Sequence, residues 1–479
     1  MPRWLAMSAG AADIAFSQQL KAAHAGANPT EAAASLSRRE WAYLTAYVGV
    51  LLLCWSPFKW AAYAAPAIAI FWVIVAGRSG VVLVRVLLLA VAASLVVAAH
   101  LAWNEVFVLS SALVAMVTYS SLAVIWVFPA KHFLKPELLG RMTDLTRNVV
   151  LVEAAFGIVQ AIYGYWTSGS FDGANGDLVQ GTIFPYFYGD GAFANPMYGA
   201  GLTLMVLALV PLARWRRGYA LAVVLGAVAL VMASVVHQLI FLVLAMLLAY
   251  MWVRPRLPFS RAVVPIIAVG LATPVLVLLL LPGNLATLRD IVEQFREGSS
   301  PRRLILERVA EAMPESYPYM PVVGVGPGQF SSRAALINTG YFAGSPRAPR
   351  DYGPLIRNAI PAPMREFLFE LWIANANYRY YGSSQKPFFG WLSVYTEFGA
   401  LGLLAAAVVI VVALVRLPRR SKDIRLGLLS FSVAAMIFFI VLLAFQENYW
   451  EVPQAVLPGL ILVKVMHAQA RWAGRAARG

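Results

Sequence analysis

Runs of about 20 apolar residues follow one another along most of this chain with only short gaps between them, and no other feature restricts its fold so severely. A hydrocarbon layer of about 30 Å is crossed by a helix of roughly that length, and every backbone amide inside it must be satisfied within the segment. Twelve runs qualify, near residues 41–57, 60–77, 81–102, 105–129, 148–167, 197–213, 218–234, 238–253, 262–281, 388–415, 425–445 and 452–468. The chain is 60% hydrophobic and 13% charged, whereas a soluble domain carries about a quarter charged residues. The expected fold class is therefore an all-α polytopic membrane protein with about twelve transmembrane helices.

Net charge is +15, which in a soluble protein would suggest nucleic acid as a partner. Here the bases fall in alternate gaps between apolar runs: Arg78; Lys131, Lys135, Arg141 and Arg147; Arg214, Arg216 and Arg217; Arg254, Arg256 and Arg261; and Arg416 through Arg425. The short gaps between these hold only Lys59. Lys and Arg beside helix ends resist translocation, so both termini are expected on the cytoplasmic side, and nucleic acid is not an expected partner. Residues 1–40 read as a cytoplasmic tail ending in Ser37-Arg38-Arg39, and 469–479 as a second one. Between them lie helices one to nine (41–281), a large outward loop (282–387) and helices ten to twelve (388–468). Cys54 is the sole cysteine, which leaves neither an intramolecular disulfide nor a cysteine-based metal site.

Two outward segments are long: 168–196, rich in glycine, aromatics and acids, and 282–387, between helices nine and ten. Loops of such length usually carry function, so these are the expected cover of an active site. The larger one begins with a helical pattern from Leu288 to Arg308, broken near Gly298-Ser299-Ser300-Pro301, where Pro301 suits a first helical turn capped by Ser299 or Ser300. It continues through Gly324-Val325-Gly326-Pro327-Gly328-Gln329-Phe330, a turn.

From 333 to 386 the loop has seven bases (Arg333, Arg347, Arg350, Arg357, Arg365, Arg379, Lys386) against three acids. Such a lining suits a diphosphate, because guanidinium forks match phosphate oxygens; the plainer reading is a solvated surface. Arg302 and Arg303 open an apparent helix at the membrane surface and are the stronger diphosphate candidates, with Arg379 and Lys386 beside them and Gln385 as a further polar contact. His237 and Gln238 lie in a tight outward turn, where an imidazole can act as base or phosphate donor, or simply cap helix ends. His100, at another outward helix end, is a weaker candidate. Glu397, inside an apolar run just before Gly399 and Gly402, must either pair with a base or serve a reaction, and Glu153 raises the same question with structural pairing favoured. Asn195, before Pro196, reads first as a helix start and secondly as a substrate contact. No nucleotide-binding glycine loop and no metal-ligand spacing occurs, so no cofactor is expected and any donor must arrive already activated.

Three stretches, in this order, resemble one family: Phe193-Ala194-Asn195-Pro196 entering a helix; Arg302-Arg303 followed by the Gly324–Phe330 turn; and Trp391 to Gly402 with Glu397-Phe398-Gly399-Ala400-Leu401-Gly402. They look like the O-antigen ligase and polymerase superfamily of bacterial inner-membrane glycosyltransferases, and with helix number and loop placement the likeness covers about residues 41–468. The resemblance implies a metal-independent transferase of the C type in the inner membrane, its active site facing the periplasm, with undecaprenyl diphosphate-linked glycan as donor. Basic residues near the large loop would hold the diphosphate, Arg302 and Arg303 matching best, and a base would deprotonate the acceptor hydroxyl. Ligases of this group carry a His just before the tenth helix; Phe388 and Phe389 stand at that spacing, the large loop has no His, and the family's Ser-Arg at the eighth helix is replaced by Ser234-Val235-Val236-His237.

The expected function is thus a polymerase joining lipid-linked repeat units of an O-antigen, capsule or exopolysaccharide, with His237 or Glu397 as proton acceptor. Its expected partners are the lipid-linked glycan, membrane lipid, a chain-length regulator and a flippase. A ligase attaching glycan to lipid A core or protein is the first alternative. A transporter or flippase of the lipid-linked unit is the second, although the two halves of the chain do not match as a transporter's repeats would.

Overall fold

A computed structural model describes residues 36–169, 178–185, 195–213, 216–233, 235–254, 289, 292–341, 359–374 and 386–476. Among them there is no strand. The principal helices are α1 (Arg38–Cys54), α2 (Lys59–Val75), α3 (Gly80–Trp103), α4 (Leu109–Thr118), α5 (Ser120–Val127), α6 (Pro136–Ser168), α7 (Asn195–Ala213), α8 (Arg217–Met232) and α9 (Val236–Val253). After these come the loop helices α10 (Pro301–Glu307), α11 (Met313–Ser316), α12 (Met320–Val323), α13 (Arg333–Asn338), α14 (Ala362–Met364) and α15 (Glu370–Ala374), and then α16 (Gly390–Val415), α17 (Ile424–Leu443) and α18 (Pro453–Ala476).

Six of the described helices (α3, α6, α7, α9, α16 and α17) are each long and apolar enough to cross a membrane, and the bent pair α4–α5 makes up to seven. The chain is a multi-pass helical membrane protein. The run expected at 262–281 lies outside the described residues.

Four boundaries differ from the sequence reading, each for a local reason. α1 starts inside the expected tail, because Ser37 and Glu40 form a reciprocal capping box, with Ser37 N donating to Glu40 Oε2 at 2.7 Å. α6 begins at Pro136, so the bases Arg141 and Arg147 ride on a helix and not in a gap; a proline at the first position and the absence of glycine or proline breakers near 147 let the helix run on. The expected span 105–129 is two helices bent by 53° at Tyr119. The expected span 388–415 is interrupted at Gly399, whose φ of 64° only glycine adopts without strain.

Side-chain bonds gather the helix ends into two levels. At one end Arg38 Nε donates to Ala76 O at 2.8 Å, Lys135 pairs with Glu40 at 2.8 Å, Arg420 N donates to Val253 O at 2.9 Å and Trp252 Nε1 to Leu414 O at 3.0 Å. The same end holds Arg39, Arg78, Arg416 and Arg471, and is called the basic end below. The opposite end carries the described loop segments, through bonds from Arg302 to the carbonyls after α17.

α7 is buried along nearly its whole length, with α6, α8, α17 and α18 packed around it. Small residues bring these backbones close: a Cβ on Gly459 of α18 would collide with Leu204 of α7. By contrast α3 and α16 expose aliphatic residues such as Leu88, Leu95, Leu404 and Val409, as lipid-facing helices do.

Candidate functional site

The described part of the large loop has an apolar core of its own, built from residues such as Ile305, Met313, Phe330, Leu336, Trp372 and Phe388. That core fixes the loop as a folded cap on the bundle. Gly298, with φ of 80°, turns the chain into α10, and Pro301 occupies the first helical position after Ser300. The expected Ser cap is in place by position, but Ser300 makes no side-chain bond to the helix.

The Gly324–Phe330 turn is wedged between α16 and the segment joining α3 to α4. Because Gly399 breaks α16, the carbonyls of Thr396 and Glu397 lose their helical partners and accept instead from Val325 N at 2.8 Å and Gly326 N at 3.0 Å. The Glu397 carboxylate closes the same seam, accepting from Gly328 N at 2.7 Å, Phe330 N at 3.1 Å and Ser332 N at 3.0 Å. Across the turn Gln329 bonds both the N–H (2.8 Å) and the carbonyl (3.0 Å) of Val108, and Asn104 Nδ2 holds Val325 O at 3.0 Å. Buried backbone groups need such partners, so glycines and amides here are structural requirements of a loop sunk between helices.

From this wedge the chain emerges at Ser332, whose hydroxyl caps α13, and Arg333 is therefore the first residue of α13 and points into the protein. Its Nη2 lies 2.5 Å from Glu447 Oε1. Lys386 Nζ lies 3.0 Å from Glu447 Oε2, to which Tyr449 donates its hydroxyl at 3.3 Å. Arg302 joins from α10: Nε donates to Lys386 O at 3.1 Å, Nη1 to Phe445 O at 2.9 Å and Nη2 to Gln446 O, and the guanidinium lies 5.5 Å from the centre of the Phe389 ring. Glu451 lies alongside, accepting from Thr118 Oγ1 at 3.0 Å and Ala334 N at 3.4 Å, and Tyr63 of α2 faces Arg333.

Charge in this cluster is unevenly shared. Burial alone would raise the Glu447 carboxyl, but Lys386 and Arg333 outweigh it and hold Glu447 below the usual carboxylate range. Burial and the neighbouring Glu397 push Glu451 up to about 8, so at neutral pH it is mostly protonated. Burial lowers Arg302 to about 10, still ionised at neutral pH. For Arg333, desolvation is overcome by Tyr63, Glu447, Tyr449 and Glu451, which raise it. Lys386 is lowered by burial, with Glu447 opposing. Three bases from three segments thus surround one ionised carboxylate among the described residues, an arrangement with room in its charge for a di-anion such as a diphosphate.

The residues expected from sequence fall in different places. Arg302 and Lys386 are in the cluster. Arg303 is turned away, paired with Glu307 at 2.7 Å on the surface and bonded to Phe295 O at 3.2 Å. His237 occupies the first turn of α9, half-buried and near enough to Arg302 to feel its charge. Glu397 is buried and bonded by three backbone donors, which is the geometry of a structural clamp. Asn195 and Gln238 are buried with their amides on backbone carbonyls: Asn195 on Val179 O (2.8 Å) and Ala233 O (2.9 Å), Gln238 on Pro196 O (2.8 Å). Glu153 accepts from Thr182 N at 2.8 Å and Thr182 Oγ1 at 2.5 Å, tying residues 178–185 to α6. His100 is buried against Trp103 and Phe107. Arg379 and Gln385 lie outside the described residues.

Sequence reasoning counted Arg333 only as one base among several and passed over Glu447 and Glu451 altogether. A signal was present: Gln446-Glu447-Asn448 and Glu451 stand in the short gap between the last two apolar runs, where carboxylates are costly unless partnered. No protein-family model, curated protein or solved structure matches the chain.

Proposed function

We propose that the chain is an inner-membrane glycosyltransferase that crosses the bilayer about twelve times and polymerises undecaprenyl diphosphate-linked oligosaccharide repeats at the periplasmic face, as its resemblance to the O-antigen ligase and polymerase superfamily implies. The observation that carries this reading is the convergence of Arg302, Arg333 and Lys386 about Glu447 at the end of the bundle away from the basic end. Lys and Arg accumulate on the cytoplasmic side of membrane proteins, which supports an outward-facing cluster, on the side where the proposed lipid-linked repeats would be presented.

In the proposed reaction a hydroxyl of the acceptor glycan attacks the anomeric carbon of the donor sugar, and the bond from that carbon to the diphosphate oxygen breaks. Negative charge grows on the departing diphosphate, and guanidinium and ammonium groups already in place stabilise it without reorganisation. Arg302 and Arg333, with Lys386, take this role in the proposal; Arg303, which faces away, does not. The hydroxyl proton goes to His237, which lies near Arg302, whereas Glu397 keeps the loop seated.

Purified protein in vesicles, given undecaprenyl diphosphate-linked repeats on the loop side, is expected to build polymer of increasing length, and Arg302→Ala or Arg333→Ala to lower the initial rate at least about 100-fold, as the loss of a pre-placed charge stabiliser does. Transfer to lipid A core without any extension would establish the ligase instead. Passage of the donor across the membrane without a new glycosidic bond would establish a transporter.

A further inference from the structure

A second cationic cluster lies at the basic end and plays no part in the proposed reaction. Lys464, His467, Arg471 and Arg475 follow one another at helical spacing along a single face of α18. Arg85 of α3 and Arg416, which caps the end of α16, converge on this face. The charges that act on Lys464 are Arg85 and Arg471, and those that act on Arg471 are Arg416 and Arg475. Among the described residues, the charges acting on Lys464, His467 and Arg471 all belong to other bases.

Apart from Arg416, which stands at the end of α16, the cluster sits inside the helices and not in the gaps that follow them. Lys464 is five residues, about 7.5 Å of helix rise, inward of Gln469, which bonds Phe133 O at the basic end. Arg85 lies a similar distance inside α3, where its Nη1 donates to Trp126 O at 2.8 Å and its guanidinium lies 5.8 Å from the centre of the Trp126 ring. On the other side His467 Nε2 is 2.9 Å from Ala413 O, which fixes the end of α16 against α18. The helices that contribute Arg85 and Arg416 expose Leu88 and Val412 outward, and Trp126 is itself exposed. Lys464, Arg471 and Arg85 are half-buried and Arg416 is exposed beside them; like charges held together between helices with lipid-facing aliphatic surfaces are costly by themselves and become favourable when an anion with an apolar tail joins them. Topology signalling does not need this arrangement, because bases in the gaps already supply it.

We propose that Lys464, Arg471, Arg85 and Arg416 form a binding site for the phosphate of an anionic glycerophospholipid in the leaflet at the basic end, its acyl chains lying along α3 and α16. This site is independent of the transferase reading.

The test is native mass spectrometry of the full chain released from detergent, with phosphatidylglycerol and phosphatidylcholine in competition. One phosphatidylglycerol is expected to stay bound under conditions that strip phosphatidylcholine. Lys464→Gln with Arg471→Gln is expected to weaken that retention about 30-fold, since each base near an anionic headgroup is worth roughly a factor of five, while Lys464→Arg retains it. Equal retention of the two lipids by the unmodified protein, or undiminished phosphatidylglycerol binding by the double variant, overturns the proposal. So does full displacement of the lipid by millimolar inorganic phosphate, which would mark a free-anion site. Should the double variant not fold, the competition on the unmodified protein decides.

Discussion

At the scale of single residues, Glu447 holds the candidate site together. It pairs with both Arg333 and Lys386 in surroundings where an unpartnered charge is expensive. Glu447→Gln leaves two buried cations facing a neutral amide and is expected to cost about 3–5 kcal/mol, read as a fall in the thermal midpoint of the purified protein. Glu447 and Glu451 also respond oppositely to pH. Glu447 is held below the usual carboxylate value, so its contribution is present above about 4.5 and fades as pH falls through its lowered value. Glu451 is raised to about 8, so the folded state binds a proton that the unfolded chain has released; its contribution is full below about 4.5 and is lost as pH rises toward 8. Stability is therefore expected to decline between pH 5 and pH 8 in the native protein and to be flatter there in Glu451→Gln. An identical slope in both would assign the decline to another group.

At the scale of elements, the decisive feature is a helix that stops being one. α16 breaks at Gly399, nine residues or about 13.5 Å of helix rise from its start at Gly390, and the released carbonyls become the seat of the Gly324–Phe330 turn. A side chain at Gly399 would collide with Val322 O and force a positive φ on a non-glycine residue. Gly399→Ala is expected to destabilise by at least about 2 kcal/mol and to expose 292–341 to protease. Glu397→Gln should act on the same seam, because an amide cannot accept from three N–H donors as a carboxylate does; about 3 kcal/mol is expected, with weaker protection of the loop. If Glu397→Gln instead abolished turnover while the loop stayed protected, Glu397 would be a reacting group and not a clamp. Apolar periodicity made most of these helices legible in the sequence, since lipid imposes one requirement on every span. The bends at Tyr119 and Gly399 were not legible, because hydropathy averages across them, and the partners that compensate the break at Gly399 lie far along the chain, at Val325 and Gly326. For the same reason Arg302 and Lys386 could be picked out as bases in a loop, but their meeting on Glu447 could not: the carboxylate belongs to a gap about 60 residues and more beyond them, and only the folded loop core brings the three together.

At the scale of the whole molecule, the two ends of the bundle make different demands, and the orientation of one fixes that of the other. The basic end collects Arg38, Arg78, Arg254 and Arg416 at its rim, and the described loop segments cap the opposite end. Retention of Lys and Arg on the cytoplasmic side is the reason the proposed function places the loop outside the cytoplasm. Cysteine labelling reads this directly, and the chain is well suited to it because Cys54, its only cysteine, is fully buried. Glu315 is exposed on the loop and Lys422 is exposed at the basic end. In a Cys54→Ser background, Glu315→Cys is expected to react with a membrane-impermeant maleimide added to spheroplasts, and Lys422→Cys to react only after the membrane is opened. The reverse pattern would put the Arg302–Arg333–Lys386 cluster in the cytoplasm, where lipid-linked repeats are not displayed for polymerisation, and the proposed reaction would have no substrate on its side of the membrane. The lipid site around Lys464 would survive that result with its leaflet exchanged, because its argument depends on the depth of the bases within the helices and not on which compartment they face.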